Sequence, residues 1–227
     1  MGKNKLAHFK EIGSFNHVFE PSTEEGLSGT HKLQGKWSAF FGNNNPIVLE
    51  LGCGKGEYTL GMASMYPDKN FIGVDIKGAR IWRGAKTIEE EEINNAAFLR
   101  TNIEFIASFF NKDEVNEIWL TFSDPQLKES REKHRLTYPK FLDIYQKILI
   151  PHGLIHLKTD SRFLADYTLG ILKKKNIKPE FIANDVYGAD WGLLNEKEQE
   201  HLAIKTFYEQ KFLDKGKLIN YIRFKLS

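Results

Sequence analysis

The segment richest in chemistry is Leu49-Glu50-Leu51-Gly52-Cys53-Gly54-Lys55-Gly56. An acid and an apolar run lead directly into three glycines at alternate positions, Gly52, Gly54 and Gly56. Glycines let the main chain accept positive φ and approach a ligand closely. In open α/β sheets such loops sit at the carboxyl ends of strands, where ligands bind. The dinucleotide fingerprint G-x-G-x-x-G would need its third glycine at position 57, which is Glu57. The pattern here is E-x-G-x-G-x-G instead. A carboxylate ahead of the loop suits a cationic sulfonium carrying an amino-acid group and would repel a pyrophosphate. This favours S-adenosylmethionine over a nicotinamide dinucleotide. Asp75 follows about 20 residues later, where an acid accepts ribose hydroxyls; the plainer alternative is that it caps the next helix. Asn102, after a weaker apolar run, is a candidate for the adenine edge. Cys53 reads as a small filler of space rather than a nucleophile.

A second set of residues suits an anionic, aromatic substrate. Asp124-Pro125 follows another apolar run. Beyond it come Lys128, Ser130, Arg131, Lys133, His134 and Arg135, interrupted by Glu129 and Glu132. This is either a solvated loop with paired charges or a phosphate-binding loop beside the site. Lys158-Thr159-Asp160 ends a further strand, and Lys205-Thr206-Phe207-Tyr208-Glu209 lies near the C-terminus. An acid beside an aromatic ring and a hydroxyl can hold a flipped-out base. The run Lys173-Lys174-Lys175 reads as a solvated helix end, matched to the helix dipole.

The elements that must carry these groups follow from periodicity. Short apolar runs at 47–51, 70–75, 97–100, 117–122 and 153–159 alternate with helical patterns at 58–66, 78–93, 103–110 and 136–149, the last with Pro139 in its first turn. A further helix carries Leu164, Tyr167 and Ile171 on one face. Strands alternating with helices imply a mostly parallel sheet covered on both faces. Alternation at 217–226, with a run near 181–187, predicts an antiparallel hairpin at one edge. Residues 1–45 are turn-rich and read as a partly ordered N-terminal extension, with 46–227 as the catalytic domain. Lys3, Lys5, His8 and Lys10 offer an RNA-touching arm there as the alternative.

The chain has 227 residues, a net charge of +2 and one cysteine. That length suits one α/β domain. One cysteine makes no internal disulfide, and no Cys/His cluster has metal-ligand spacing, so no metal and a reducing, cytoplasmic setting are expected. No run approaches the roughly 20 apolar residues of a membrane helix. An RNA partner would have to meet local basic patches. No apolar stripe marks an interface between copies, which leaves monomer and homodimer open.

Taken in series, Glu50 to Gly56, Asp75, Ser123-Asp124-Pro125 with Lys128, Thr159-Asp160 and Thr206 to Glu209 resemble the tRNA (guanine-N7-)-methyltransferase family, in order and in spacing. The resemblance runs from about 47 to 226. Ser123 stands where that family usually has proline, Gln126 where it has tryptophan, and Asn102 where aspartate is common. The resemblance implies a Rossmann-like class I methyltransferase with a mostly parallel seven-stranded sheet. It implies a cofactor site of Glu50, the three loop glycines, Asp75, Asn102 and Asp124. Asp124 would be the catalytic carboxylate, and Lys128, Asp160, Thr206, Phe207, Tyr208 and Glu209 would contact substrate. Ser130 to Arg135 would meet tRNA, whose target in the family is the guanine at position 46 of the variable loop. Three rivals stay open: a methyltransferase of this fold acting on protein or small molecules, a nicotinamide oxidoreductase, and a tRNA-binding module without turnover.

Overall fold

A computed structural model describes residue 8 and residues 10–226. The central apolar runs become strands because their apolar residues are divided between two cores, one on each face of the sheet. In β2 (Ile47–Leu51) and β3 (Asn70–Asp75), Leu49, Leu51, Ile72 and Val74 face one core, while Val48 and Phe71 face the second. The same alternation divides β4 (Ala96–Arg100) and β5 (Val115–Thr121): Leu99 and Leu120 join the first core, Phe98 and Trp119 the second. Two buried faces explain why these strands read as continuous apolar runs without polar alternation.

Helices α3 (Glu57–Met65) and α4 (Gly78–Glu91) cover the second core. On the first lie α5 (Pro139–Gln146) and α6 (Arg162–Lys174). Pro139 occupies the first turn of α5, as its fixed φ allows. The stretch 103–110 forms a short 3-10 turn, Ile103–Ser108. In α6 the lysine run ends the helix, and Lys175 reaches Asp143 at 2.8 Å.

With β1 (Val18–Phe19), β6 (Leu149–Thr159), β7 (Phe181–Ala183) and β8 (Asn220–Lys225), the sheet has eight strands in the order β1-β4-β3-β2-β5-β6-β8-β7. Neighbours from β1 to β6 pair parallel. At the far edge β6 (Leu149–Thr159) and β7 (Phe181–Ala183) both pair antiparallel with β8 (Asn220–Lys225). The expected antiparallel edge is therefore present, but α7 (Glu196–Ala203) and α8 (Phe207–Leu213) are inserted between its two strands. Both helices begin with complete capping boxes, Asn195 with Glu198 and Thr206 with Glu209.

The eighth strand comes from the segment read as irregular. β1 (Val18–Phe19) extends the sheet beside β4, and the Phe98 N–H donates to the His17 carbonyl at 2.8 Å. Two residues are too few for a period to show in sequence. Past the short helix α1 (Thr23–Leu27), Trp37 in α2 (Trp37–Phe41) is fully buried, stacks on Phe110 and donates from Nε1 to the Phe109 carbonyl at 2.9 Å. Of the basic residues proposed as an arm, Lys3 and Lys5 lie outside the described residues; the His8 ring stacks on Trp82 at 3.6 Å. Since Trp37 closes the first core, Trp37→Ala should lower the unfolding free energy by about 3–5 kcal/mol in urea titration. A loss below about 1 kcal/mol would mean that this segment only rests on the domain.

Candidate functional site

The carboxyl ends of β2, β3, β5 and β6 converge on a cleft of about 530 Å³. It contains Glu50, Gly52, Gly54, Asp124, Asp160, Thr206, Phe207 and Tyr208 from the expected set. Four separate stretches of the expected set are thus brought to one space, which is what a parallel sheet does with its strand ends.

Gly52, Gly54 and Gly56 all adopt positive φ, at 83°, 59° and 75°. Gly56 is also pressed against the buried Phe98 ring: a Cβ there would fall 2.3 Å from Phe98 Cζ. The loop can lie this low over the sheet only without side chains. Beneath it, Glu50 is buried, 4% exposed. Its Oε2 accepts from the Thr59 amide at 2.9 Å and from the Thr59 hydroxyl, and its Oε1 accepts from the Thr121 hydroxyl. Burial nevertheless wins over these donors and pushes its pKa up to about 7. Asp75 lies just behind the cleft-lining residues. Its Oδ2 accepts from the Gly54 amide at 3.0 Å and its Oδ1 from the Lys77 amide at 2.8 Å. Asp75 therefore ties the loop to the end of β3 and keeps lone pairs free. Cys53 is buried among apolar side chains, and burial pushes its thiol pKa up, in keeping with a filler of space.

Asn102 is not brought into the cleft. It is exposed, and its side chain accepts from the Glu104 amide at 3.1 Å, capping the 3-10 turn after β4.

On the substrate side, Asp124 is exposed and its Oδ1 accepts from the Gln126 amide at 3.0 Å. It sits between two non-glycine residues at positive φ, Phe122 at 49° and Gln126 at 46°. Such backbone costs about 1–3 kcal/mol per residue and persists only where surroundings hold it. The holder is Arg135. Grouped in sequence with tRNA contacts, it is instead buried, 4% exposed. Its guanidinium donates to the carbonyls of Pro125 and Gln126 and stacks over Tyr167 at 4.4 Å and Phe163 at 4.7 Å. It shapes the Asp124 loop from behind. Lys128, Ser130, Arg131, Lys133 and His134 are exposed on the turn Glu129–His134 and its approach, with Glu132 half-buried.

Phe207 and Tyr208 stand at the rim of the cleft, 57% and 45% exposed, and Lys55 lies over the Phe207 ring at 4.9 Å. The Phe207 amide donates to Glu57 Oε2 at 2.8 Å, joining α8 to the first turn of α3. Asp160 pairs with Lys217 at 2.5 Å. Thr206 caps α8 by accepting from the Glu209 amide at 3.1 Å.

Glu209 is fully buried and does not line the cleft. Its carboxylate pairs with Lys158 at 2.8 Å and accepts from the Tyr187 hydroxyl at 2.5 Å. Lys158, also fully buried, directs its remaining protons at the Leu202 and Ile204 carbonyls, at 2.9 and 3.1 Å. Burial lowers its pKa to about 8, against the pull of Glu209. In this arrangement Glu209 anchors the start of α8 rather than facing a base. Lys158 marks only a strand end in sequence; its partner is 51 positions away, so spacing alone carries no signal of the pair. Thr59 and Thr121, the donors to Glu50, escape sequence reading for the same reason.

The parallel sheet with its glycine loop and buried acid defines a methyltransferase of class I architecture. A family model described as "Putative methyltransferase" matches residues 44–221. The 16S rRNA methyltransferase KamB superposes with a TM-score of 0.63, covering 87% of this chain and 94% of that one at 11% identity. An antibiotic related methyltransferase gives a TM-score of 0.59 at 13% identity, covering 84% and 92%. At such identities the likeness is one of fold. Sequence relatives are more specific. The tRNA (guanine-N(7)-)-methyltransferase of Christiangramia forsetii is 52% identical over 226 residues, 99% of each chain. Its namesake in Bacteroides thetaiotaomicron is 50% identical over 227 residues, 100% of this chain and 87% of the other. The chain belongs to the tRNA (guanine-N(7)-)-methyltransferase family.

The Lys158–Glu209 pair can be tested by exchange. Lys158→Met and Glu209→Leu should each destabilise by about 3–5 kcal/mol, because each leaves a buried charge unpaired. Combined, they should recover most of that loss in urea titration. Additive losses would show that the two groups act independently.

Proposed function

We propose that the chain transfers the methyl group of S-adenosylmethionine to N7 of guanine in tRNA, at position 46 of the variable loop. The observation that carries this reading is full-length identity of about half to tRNA (guanine-N(7)-)-methyltransferases, together with a cleft that suits both reactants. No rival acceptor has a comparable observation behind it. The reading assigns catalysis to residues 46–227, in line with the family match over 44–221. It carries with it a cytoplasmic setting and no resident metal. Among the described residues no helix is long and apolar enough to cross a membrane.

The residues fit the cofactor. A cleft of about 530 Å³ lies within the range of small-molecule sites. Glu50 is a carboxylate held in a dry place with three donors aimed at it, which suits a neighbouring cation. Asp75 has lone pairs left for ribose hydroxyls. When bound, the cofactor supplies an electrophilic methyl group on a cationic sulfur.

Guanine N7 is already a free lone pair at neutral pH, so no strong general base is required. The protein's task is to align N7 and exclude water, and orientation can supply much of the rate. Phe207 and Tyr208 offer ring faces for the base. The Asp124 carboxylate stabilises positive charge that develops on the guanine ring. Asp160, whose Oδ2 pairs with Lys217, is assigned to accept from the guanine N1–H and amino edge. Glu209, through Lys158, fixes the turn from which Thr206, Phe207 and Tyr208 project. Lys128 and the turn after it meet phosphates.

Incubation with methyl-labelled cofactor and unmodified tRNA bearing G or A at position 46 tests the reading. Label is expected only in the G46 transcript, as 7-methylguanine. Label in both would discard the position, and none would discard the acceptor. Asp124→Ala should abolish turnover while leaving most cofactor affinity; a fully active variant would remove Asp124 from its role. Glu50 adds a pH dependence. Its pKa of about 7 means the carboxyl is largely neutral below that pH, whereas a bound cation favours the ionised form. Binding should therefore release a proton below about pH 7, and affinity should rise by up to roughly tenfold per unit of pH up to there, then level off. Calorimetry across pH 5.5–8.5 should show this in the native chain and a flat profile in Glu50→Gln.

A further inference from the structure

Two cations in the cleft have no evident task toward the methyl donor. Lys77 and Arg80 line it on the flank where β3 passes into α4, and both are exposed. Among the described residues neither lies within ion-pair distance of a carboxylate. Further along the same helix pairing is the rule: Arg83 meets Glu90 and Lys86 meets Glu11. Pairing stops where the helix reaches the cleft. The first turn of α4 holds no acidic residue, so the positive end of its dipole adds to the same potential. S-adenosylmethionine carries no phosphate and a single carboxylate, so two unpaired cations exceed what it requires. The other cleft lysines are engaged, Lys55 over Phe207 and Lys217 with Asp160.

The strand order places β3 and β5 on opposite sides of β2. The basic turn Glu129–His134 follows β5, so it lies on the other flank from Lys77 and Arg80. From this juxtaposition we infer that Lys77 and Arg80 form a second phosphate-binding wall, which grips the RNA backbone on the β3 side of the cleft. The inference rests on the tRNA reading above. With cations on both flanks, the backbone is held on either side of the base being methylated. The base is then fixed in height against Phe207 and Tyr208. Contacts of this kind read charge and not sequence.

The test uses the full chain and the double variant Lys77→Ala with Arg80→Ala. Its readouts are unmodified tRNA affinity as a function of salt and S-adenosylmethionine affinity by calorimetry. Loss of two phosphate contacts should reduce the slope of log affinity against log salt by roughly 1.4–1.8. The tRNA dissociation constant should rise about tenfold or more at low salt, with cofactor affinity changed less than about twofold. The charge-conserving pair Lys77→Arg with Arg80→Lys should keep most of the native slope. An unchanged slope overturns the inference, and so does a loss of cofactor affinity that accompanies the loss of tRNA. If the native chain itself neither binds nor methylates tRNA, the tRNA reading fails, and this inference fails with it.

Discussion

A carboxylate taken out of water at the end of the central strand is the constraint around which this site is organised. Glu50 would be costly there if it were unpartnered. Thr59 and Thr121 supply its donors, and these come from α3 and β5. The helix after the glycine loop and the neighbouring strand are therefore fixed relative to β2 by one side chain. The loop between them must cross above that carboxylate, and Gly56 lets it do so against Phe98. Asp75 then closes the circuit by receiving the Gly54 amide. Apart from the Thr121 donor, which β5 brings from 71 positions away, the cofactor end is a local construction, built from residues within about one βαβ unit.

The substrate end is held differently. Its parts are far apart in sequence and are joined by buried charges. Lys158 at the end of β6 ties down α8 through Glu209 and the carbonyls that precede it. Arg135 ties down the Asp124 loop through the carbonyls of Pro125 and Gln126. In both cases a basic group is withdrawn from solvent to hold a backbone that displays other residues. Breaking such a pair is far more damaging than never having had it, which couples the shape of the substrate wall to the integrity of the fold.

Two family departures acquire a physical setting. Gln126 adopts positive φ, and its side chain accepts from Arg131 Nε at 3.2 Å, so it joins the Asp124 loop to the basic turn. The Ser123 hydroxyl, beside Asp124, is buried without a hydrogen-bond partner. Nothing in the structure explains why serine stands there.

Much of this was legible in the sequence, for reasons that are local. The apolar runs of β2 to β5 determine a doubly covered parallel sheet, because period and composition are properties of short windows. The glycine spacing with Glu50 and Asp75 determines a loop for a cationic ligand, since φ > 0 and charge belong to single residues. Other features were decided only by tertiary structure. β1 consists of two residues and has no period. Trp37 could equally have been a surface ring. Asn102, expected at the adenine edge, caps the turn that follows it, and no short window reveals that contact. Arg135 and Glu209, polar and near the expected site, are buried by partners that no spacing reveals. The exposure of Lys77 and Arg80 beside the cleft depends on which carboxylates α4 can reach. Local chemistry is written residue by residue. Which charges meet, and which are left facing the solvent, depends on chain segments brought together only by the fold.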